Sequence, residues 1–523
     1  MQRNKAIEQL RTHGEWDVVV IGGGATGLGV AVDAATRGYA TLLLEAHDFA
    51  KGTSSRSTKL VHGGVRYLAQ GYVDLVREAL RERGRLSHNA PHLFRKQAFI
   101  IPGEKWWTAP YYTFGLWMYD RLSGRLSIGK TRYLGQGDAR RRLKGVRDDK
   151  VGAGVCYYDG QFDDARLALC LAQTATDHGA TVLNYCAVTA LKKGGNGRLK
   201  GVTAKDELTG ETFEVKAKCV VNATGVFANP ILGMDEPHDK PPILPSQGIH
   251  LVLDREFLPG EDALMVPKTS DGRVLFAVPW HGKVVVGTTD TLVKDPSYEP
   301  LPLEQEIEFI LNTSRDYLTK APTRADVRSV YVGLRPLAAP KDEGKSTKEV
   351  SRSHKVEVSH SGMVNIFGGK WTTYRQMAED GVDAAIGAGL LPAKPCRTQE
   401  LRLHGYIDEK QHMDDTPLTL YGSDAMAIGK LIAAEPKLAD RIHPAYPFTF
   451  AQVQWAIDEE VAQSLEDVLA RRIRLLFLDA RAAEAAAPAV ADFMAKRMGW
   501  SDSRKQAELD SFVKLTKQYR LAD

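Results

Sequence analysis

Residues 22–45 combine the residue types and the spacing that can hold a diphosphate. Gly22, Gly24 and Gly27 follow the apolar run Val18–Ile21 in G-x-G-x-x-G order, and Glu45 lies 45 − 27 = 18 residues past Gly27. Glycine at such a turn lets backbone approach a pyrophosphate, and the helix after it offers unpaired N–H groups and a positive dipole end. An acid at that distance accepts hydrogen bonds from ribose hydroxyls. The pattern predicts a dinucleotide site made by Gly22, Gly23, Gly24, Ala25, Thr26, Gly27 and Glu45. Two later stretches share this character. One is Asn222-Ala223-Thr224-Gly225, where an apolar run ends in small residues that admit a ligand to the backbone. The other is Gly368-Gly369, which opens a helix and gives a second positive dipole end. Lys370 beside it opposes that dipole unless an anion sits nearby.

The elements that must position these residues are legible as patterns. Strand Val18–Ile21, a small-residue helix from Ala25 to about Arg37, and strand Ala40–Leu44 form a β-α-β unit. Lys51–Gly64 is rich in Ser, Thr and Gly, as suits a loop wrapped around a ligand. Helical spacing recurs at Tyr72–Arg85 and at 163–178. Val182–Leu191, Leu199–Asp206 and Thr212–Val221 read as strands. Short runs between about 241 and 360, such as His250–Leu253, Val274–Val278, Val284–Gly287 and Arg328–Leu334, predict a mainly antiparallel sheet set into the nucleotide domain. Strand Met363–Phe367 precedes a helix to about Gly387. After Pro392 and Pro395 helices dominate: Ala425–Ala434, Phe450–Glu460, Leu465–Leu478, Ala480–Met498 and Ser503–Tyr519. Ser464–Asp467 has the form of a capping box. The fold class is α/β with an inserted antiparallel sheet and an all-helical C-terminal domain, divided near 390–400.

The 523 residues allow two to four domains, and 43% hydrophobic with 26% charged residues is ordinary for a globular protein. A net charge of +4 gives no argument for nucleic acid. The five cysteines match no metal or redox spacing and are read as reduced thiols. No uncharged apolar run reaches the ~18 residues that span a bilayer, so the expectation is a soluble protein or one bound to a single membrane face.

Three further strings carry a family resemblance. Thr53-Ser-Ser-Arg-Ser-Thr-Lys-Leu-Val-His-Gly-Gly-Val-Arg-Tyr-Leu68 resembles the flavin-loop signature of FAD-dependent glycerol-3-phosphate dehydrogenases. Val332-Gly-Leu-Arg-Pro-Leu337 and Phe367-Gly-Gly-Lys-Trp-Thr-Thr-Tyr374 resemble two later signatures, and Leu465-Glu-Asp-Val-Leu-Ala-Arg-Arg472 a fourth in the helical tail. The resemblance implies FAD in a Rossmann-like domain of the glutathione-reductase or amino-acid-oxidase type, and the absence of an obvious attachment residue leads to the expectation of a non-covalent cofactor. It implies FAD-binding parts at about 16–90, 150–240 and 360–390, sheet parts at about 91–149 and 241–359, a helical domain at 396–523, and a short extension at 1–15. It places Thr53, Ser54, Ser55, Ser57, Lys59, Leu60, His62, Gly63 and Gly64 at the cofactor. Ala223, Thr224, Gly225, Gly333, Gly368, Gly369, Lys370 and Thr372 join them.

The implied reaction is oxidation of sn-glycerol 3-phosphate to dihydroxyacetone phosphate, with electrons passed to membrane quinone. A phosphate anchor calls for Arg and Lys. Arg66 and Lys370 resemble the family's phosphate ligands, and Arg352 another active-site arginine. Tyr67 either adds a hydroxyl to that site or packs in the core. By resemblance His250 is the base, since imidazole accepts a proton near neutral pH. Arg335 stays protonated and is assigned to the developing charge on oxygen. A glycerol-3-phosphate oxidase passing electrons to oxygen is the nearest alternative. An amine or amino-acid oxidase and a non-catalytic flavin protein are more distant ones.

Glu104–Tyr119 contains three Trp, three Tyr and one Phe, followed by Lys130, Arg132, Arg140, Arg141, Arg142, Lys144 and Arg147. This is either a monotopic face for an anionic membrane or an aromatic core segment with a solvated basic neighbour. With quinone as acceptor, it places the protein on the cytoplasmic face of the cell membrane. The family also implies a homodimer.

Overall fold

The apolar run at 18–21 lies in the middle of a parallel sheet because both of its faces are covered. The computed structural model describes residues 1–69, 71–103, 107–236, 243–269, 272–338, 353–408 and 416–521. In it, Trp16–Ile21 pairs in parallel with Thr41–Leu44 on one side and Thr212–Asn222 on the other. Thr181–Leu183 and Met363–Gly368 extend the parallel set at either end. Strands buried on both faces need continuous Val, Ile and Leu, as seen here. Helices Ala25–Thr36, Asp164–Asp177 and Tyr374–Gly387 pack together as one covering layer.

The second sheet is built around Ile243–Asp254. It pairs antiparallel with Ser329–Ala338 on one side and Lys283–Gly287 on the other. The sheet continues through Leu275–Trp280 and Ala263–Val266 to Phe94–Gly103 and Ala153–Phe162. Its register sets His250 across from Gly287 and Tyr331, and Arg335 across from Ser246.

Two expected elements differ. Val182–Leu191 is interrupted at Tyr185, whose backbone is left-handed (φ 53°). Thr181–Leu183 therefore stays in the parallel sheet, and Cys186–Lys193 leaves to form a hairpin with Leu199–Asp206. The Tyr185 hydroxyl donates to Asp467 Oδ1 at 2.7 Å, which fixes the departure. Leu465–Leu478 is not one helix. A π-helical turn, Asp467–Arg472, is followed by Arg474 at φ 69° and a short helix Leu475–Leu478. The Ser464–Asp467 capping box does form: Asp467 N–H donates to Ser464 Oγ, and Ser464 N–H to Asp467 Oδ2.

The broken helix serves a buried charge layer beneath the 48–59 loop. Asp48 is buried and accepts from Arg471 Nε at 2.5 Å and from both terminal nitrogens of Arg472. Burial opposes its charge, but Arg472 and Arg471 hold it below the usual carboxylate range. Asp164 accepts from Lys59 Nζ at 2.7 Å and Arg474 at 3.0 Å. The helical tail shares a core with Val252, Trp280, Val285 and Tyr331 of the antiparallel sheet, so it packs behind the strand that carries His250.

A second junction ties the tail to the parallel-sheet domain. His404 sits between Asp177 at 2.7 Å and Asp424 at 2.9 Å. Burial disfavours its charge, yet the two carboxylates push its pKa up to about 9. An imidazole raised from about 6.5 contributes stability that is complete below that value and lost as pH climbs through the folded pKa. The thermal midpoint of wild type therefore falls between pH 7 and pH 10 by more than that of His404→Gln. Parallel melting slopes for the two proteins would contradict this.

Candidate active site

The two sheets and the 51–64 loop enclose a cavity of about 660 Å³. At one end lies the glycine turn. Gly22 has φ 108°, and a Cβ there would stand 2.8 Å from Ala223 O, so the first and third parallel strands meet through bare backbone. Gly24, Ala25 and Thr26 line the cavity from the start of the helix, facing Ala223, Thr224 and Gly225. Ser54 Oγ accepts the Ala25 N–H at 2.9 Å. Glu45 also lines the cavity and is braced by N–H groups of Gly23 at 2.6 Å and His47 at 2.8 Å. Burial pushes its pKa up, against the pull of these two donors. Phe227 and Tyr298 stack beside it, with centroids 3.9 Å apart.

The flavin-loop segment forms the middle wall. Thr53, Ser54, Ser57, Leu60, His62 and Gly64 reach the cavity. Thr53 Oγ1 donates to Leu334 O at 2.5 Å, and Trp371 Nε1 donates to Ser54 O at 2.9 Å. The His62 N–H donates to Thr372 Oγ1 at 3.2 Å. These bonds join the loop to the strand of Arg335 and to the Gly-Gly-Lys turn. Gly368 and Gly369 adopt φ 70° and 79°, which lets the chain double back before the helix that begins at Tyr374. Lys370 lies 4.0 Å above the Tyr67 ring.

The remaining wall comes from the antiparallel sheet. Gly333 lines the cavity where a Cβ would meet Arg56 O at 2.5 Å. Arg335 donates to Thr288 Oγ1 at 3.1 Å and to Thr289 O at 3.0 Å, and faces Asp290 at 3.4 Å. Gly248 leaves room for it, since a Cβ there would come within 2.4 Å of its guanidinium. His250 is buried, and burial, Lys59 and Arg335 together hold its pKa well below the ordinary imidazole value. The lowered pKa leaves the ring unprotonated at neutral pH.

Five residues assigned to the cofactor do not line the cavity. Gly27 packs on Gly22 O, where a Cβ would lie 1.9 Å away. Gly23 faces Glu45 and Phe49, and Gly63 faces Tyr119 and Leu80. Ser55 is buried behind the loop. Lys59 turns away, at φ 64°, into the Asp164 pair and among Trp280, Tyr331 and Phe477. Burial and Arg474 push its pKa down to about 7, against the pull of Asp164. Arg66 lies on the short helix Val65–Ala69. Arg352 falls outside the described residues. Sequence reasoning passed over Thr58, Thr288, Asp290 and Tyr298. Thr288-Thr289-Asp290 directly follows strand Lys283–Gly287, and that polar turn at a strand end was the available signal.

Glycine positions that a Cβ would fill, two helix starts opening on one cavity and a braced acid beside the glycine turn fit an FAD. Residues 17–375 match the family of FAD-dependent oxidoreductases, and 366–505 match the C-terminal domain of alpha-glycerophosphate oxidase. Fold and site together define a flavin-dependent oxidoreductase. Mitochondrial glycerol-3-phosphate dehydrogenases of Mus musculus and Homo sapiens are each 40% identical to it, over 97% of this chain and 74% of theirs. The crystal structure of the glycerol-3-phosphate dehydrogenase from Bacillus halodurans complexed with FAD superposes with a TM-score of 0.80 at 30% identity, covering 99% of this chain and 97% of that one. The L-alpha-glycerophosphate oxidase of Mycoplasma pneumoniae shares the fold at 17% identity and a TM-score of 0.56, over 71% of this chain and 95% of its own. The chain belongs to the FAD-dependent glycerol-3-phosphate dehydrogenase family.

Gly22→Ala forces a Cβ into the Ala223 carbonyl and strains a left-handed backbone. Purified variant should carry less than a tenth of the wild-type FAD per chain, read from the ratio of flavin to protein absorbance. Stoichiometric flavin in this variant would show that the turn does not carry the cofactor.

Proposed function

We propose that this enzyme oxidises sn-glycerol 3-phosphate to dihydroxyacetone phosphate and passes the electrons to a membrane quinone. The observation that carries the reading is a neutral imidazole and a fixed guanidinium on neighbouring strands, sharing one cavity with Lys370 at the far side of the flavin loop. Bound FAD supplies the hydride acceptor.

The remaining work falls to this chain's side chains. Lys370, with Arg66 and Arg352 by family resemblance, binds the phosphate, and Tyr67 backs the Lys370 ammonium. Arg335, held by Thr288, Thr289 and Asp290, points a permanent positive charge at the oxygen that gains negative character. His250 takes the hydroxyl proton; its lowered pKa leaves the ring unprotonated at neutral pH.

The acceptor and its location rest on helix Thr108–Ser123. Its Phe114 (65% exposed) and Trp117 (49%) stand in solvent beside Tyr111 and Met118, while Leu116 and Tyr119 face inward. Lys130 and Arg132 follow directly. Aromatic side chains with adjacent cations suit the headgroup zone of an anionic leaflet. Arg141, Arg142 and Arg147 are instead paired with Asp138, Asp262 and Asp149, so the basic cluster is largely neutralised and the aromatic helix carries the membrane reading. Among the described residues no helix is long and apolar enough to cross a membrane. The aromatic helix and the quinone acceptor are what support one-sided attachment at the cytoplasmic face. Family resemblance adds a homodimer.

Mixing the yellow protein anaerobically with glycerol 3-phosphate should bleach the flavin. A quinone analogue should restore the colour quickly, and air only slowly. His250→Ala should retain FAD and slow the bleaching by about 100- to 10,000-fold, the range of a lost general base. Fast reoxidation by air with stoichiometric peroxide would convert the reading to an oxidase. Near-normal bleaching in His250→Ala would remove its role as base.

A further inference from the structure

Residues 293–301 leave the antiparallel sheet and return to it. The Val293 N–H donates to Pro245 O at 3.0 Å, and Leu301 O accepts from Gln247 Nε2 at 3.4 Å. Both ends are thus tied to strand Ile243–Asp254. Between the ties the chain forms neither helix nor strand and crosses as a strap to the nucleotide side of the cavity. Tyr298, half-buried, is the strap residue that lines the cavity.

Three cofactor-lining stretches hold Tyr298. Phe227, at the end of the turn Gly225–Phe227, stacks on its ring at 3.9 Å between centroids and 18° between planes. His47, just past Glu45, meets the ring edge-on at 4.2 Å and 70°. Arg56, buried in the flavin loop, donates to Tyr298 O and, at 2.6 Å, to Glu299 Oε1. Glu299 also accepts from the Tyr519 hydroxyl at 3.2 Å and faces Lys51 at 3.6 Å. The strap therefore joins the antiparallel sheet to the β-α-β unit, the second small-residue turn and the flavin loop.

The glycine turn and Glu45 define which end of the cofactor lies here. A pyrophosphate belongs at the turn, and the adenosine ribose at the acid beyond it. His47, whose edge meets Tyr298, gives its N–H to Glu45 Oε1 at 2.8 Å. Burial pushes the Tyr298 hydroxyl up to about 12, and the Glu45 charge adds to the rise. The ring is thus neutral and close to the carboxylate that takes the ribose. An aromatic ring at such a place offers a purine apolar surface to pack on.

We propose that the Tyr298 ring binds the adenosine half of FAD and that the strap carrying it, pinned through Glu299, sets how fast the cofactor leaves. The inference rests on FAD binding and is independent of the substrate. Tyr298 supplies the contact, and Glu299 keeps the strap down by its hold on Arg56, Lys51 and Tyr519. Cofactor release then requires the strap to lift, which breaks these bonds and separates the Phe227 and Tyr298 rings.

The test uses purified holoenzymes. Visible absorption and circular dichroism of the bound flavin are recorded, and FAD release after dilution is followed by the rise in free-flavin fluorescence. Tyr298→Ala should release FAD about ten-fold faster or more, the scale of a lost base–aromatic contact. Its bound-flavin spectra should match wild type, because the isoalloxazine end is untouched. Tyr298→Phe keeps the ring and should stay within about three-fold of wild type, since the contact is made by the ring. Glu299→Gln keeps the ring but loosens the strap, and should also release FAD faster than wild type. Tyr298→Ala that holds FAD as long as wild type overturns the proposal. So does a Phe variant as fast as the Ala one, or Glu299→Gln as slow as wild type. Altered flavin spectra in Tyr298→Ala overturn it too, because the ring would then act at the flavin end or on the fold. If Tyr298→Ala purifies without flavin, titration with FAD replaces the release rate: weakened binding that restores the wild-type spectrum supports the proposal, and no binding overturns it.

Discussion

Two buried carboxylates, Asp48 and Asp164, hold the loop on which both halves of the site depend. Neither could stay ionised alone in this interior. Each is matched by cations from the C-terminal helical tail: Arg471 and Arg472 on Asp48, Arg474 on Asp164, with Lys59 of the loop completing the second cluster. Removing one partner of such a pair typically costs ~3–5 kcal/mol, because the other charge is left stranded in low dielectric. The tail breaks its own helix to make these contacts, with a π-turn and a left-handed Arg474 whose guanidinium also reaches Ser55 O at 2.8 Å. The helical domain is thus a floor beneath the flavin loop, touched by the family string at 465–472 and by Arg474.

The loop's upper face is then free for chemistry. Ser54 caps the dinucleotide helix, Thr53 and Trp371 tie the loop to the strand of Arg335 and the Gly-Gly-Lys turn, and Thr58 reaches His250. Space for the Arg335 and His250 side chains is made by absence. Gly248 and Gly287 leave the room that the Arg335 guanidinium and the His250 ring occupy, and Gly333 lets the Arg56 backbone approach. Burial, with Lys59 and Arg335, holds the His250 pKa low, and Arg335 is fixed by the Thr288 hydroxyl and the Thr289 carbonyl.

The β-α-β unit was legible because its signals are local: an apolar run, three spaced glycines, small helix residues and an acid. Four strands of the antiparallel sheet were legible as short runs between turn residues, while Phe94–Gly103, Ala153–Phe162 and Ala263–Val266 of the same sheet were not. What the sequence hid was set by partners remote in the chain. Tyr185 splits a strand because Asp467 waits for its hydroxyl. Lys59 sits inside the flavin-loop string, yet a left-handed backbone turns it to Asp164 and away from the cavity. Gly27 and Gly63 belong to ligand motifs, but their missing side chains serve close packing on Gly22 and Tyr119. Thr58 meets His250 across 192 residues, a pairing fixed only when loop and sheet are both in place.

The most direct test of the floor beneath the flavin loop is the rate of FAD release from Asp48→Asn after dilution, followed by the rise in free-flavin fluorescence. With Asp48 neutral, Arg471 and Arg472 lose their shared anion and the loop above loses its support, so release should be at least ten-fold faster than in wild type. An unchanged release rate from a folded variant would mean that the tail's buried ion pairs do not hold the cofactor loop.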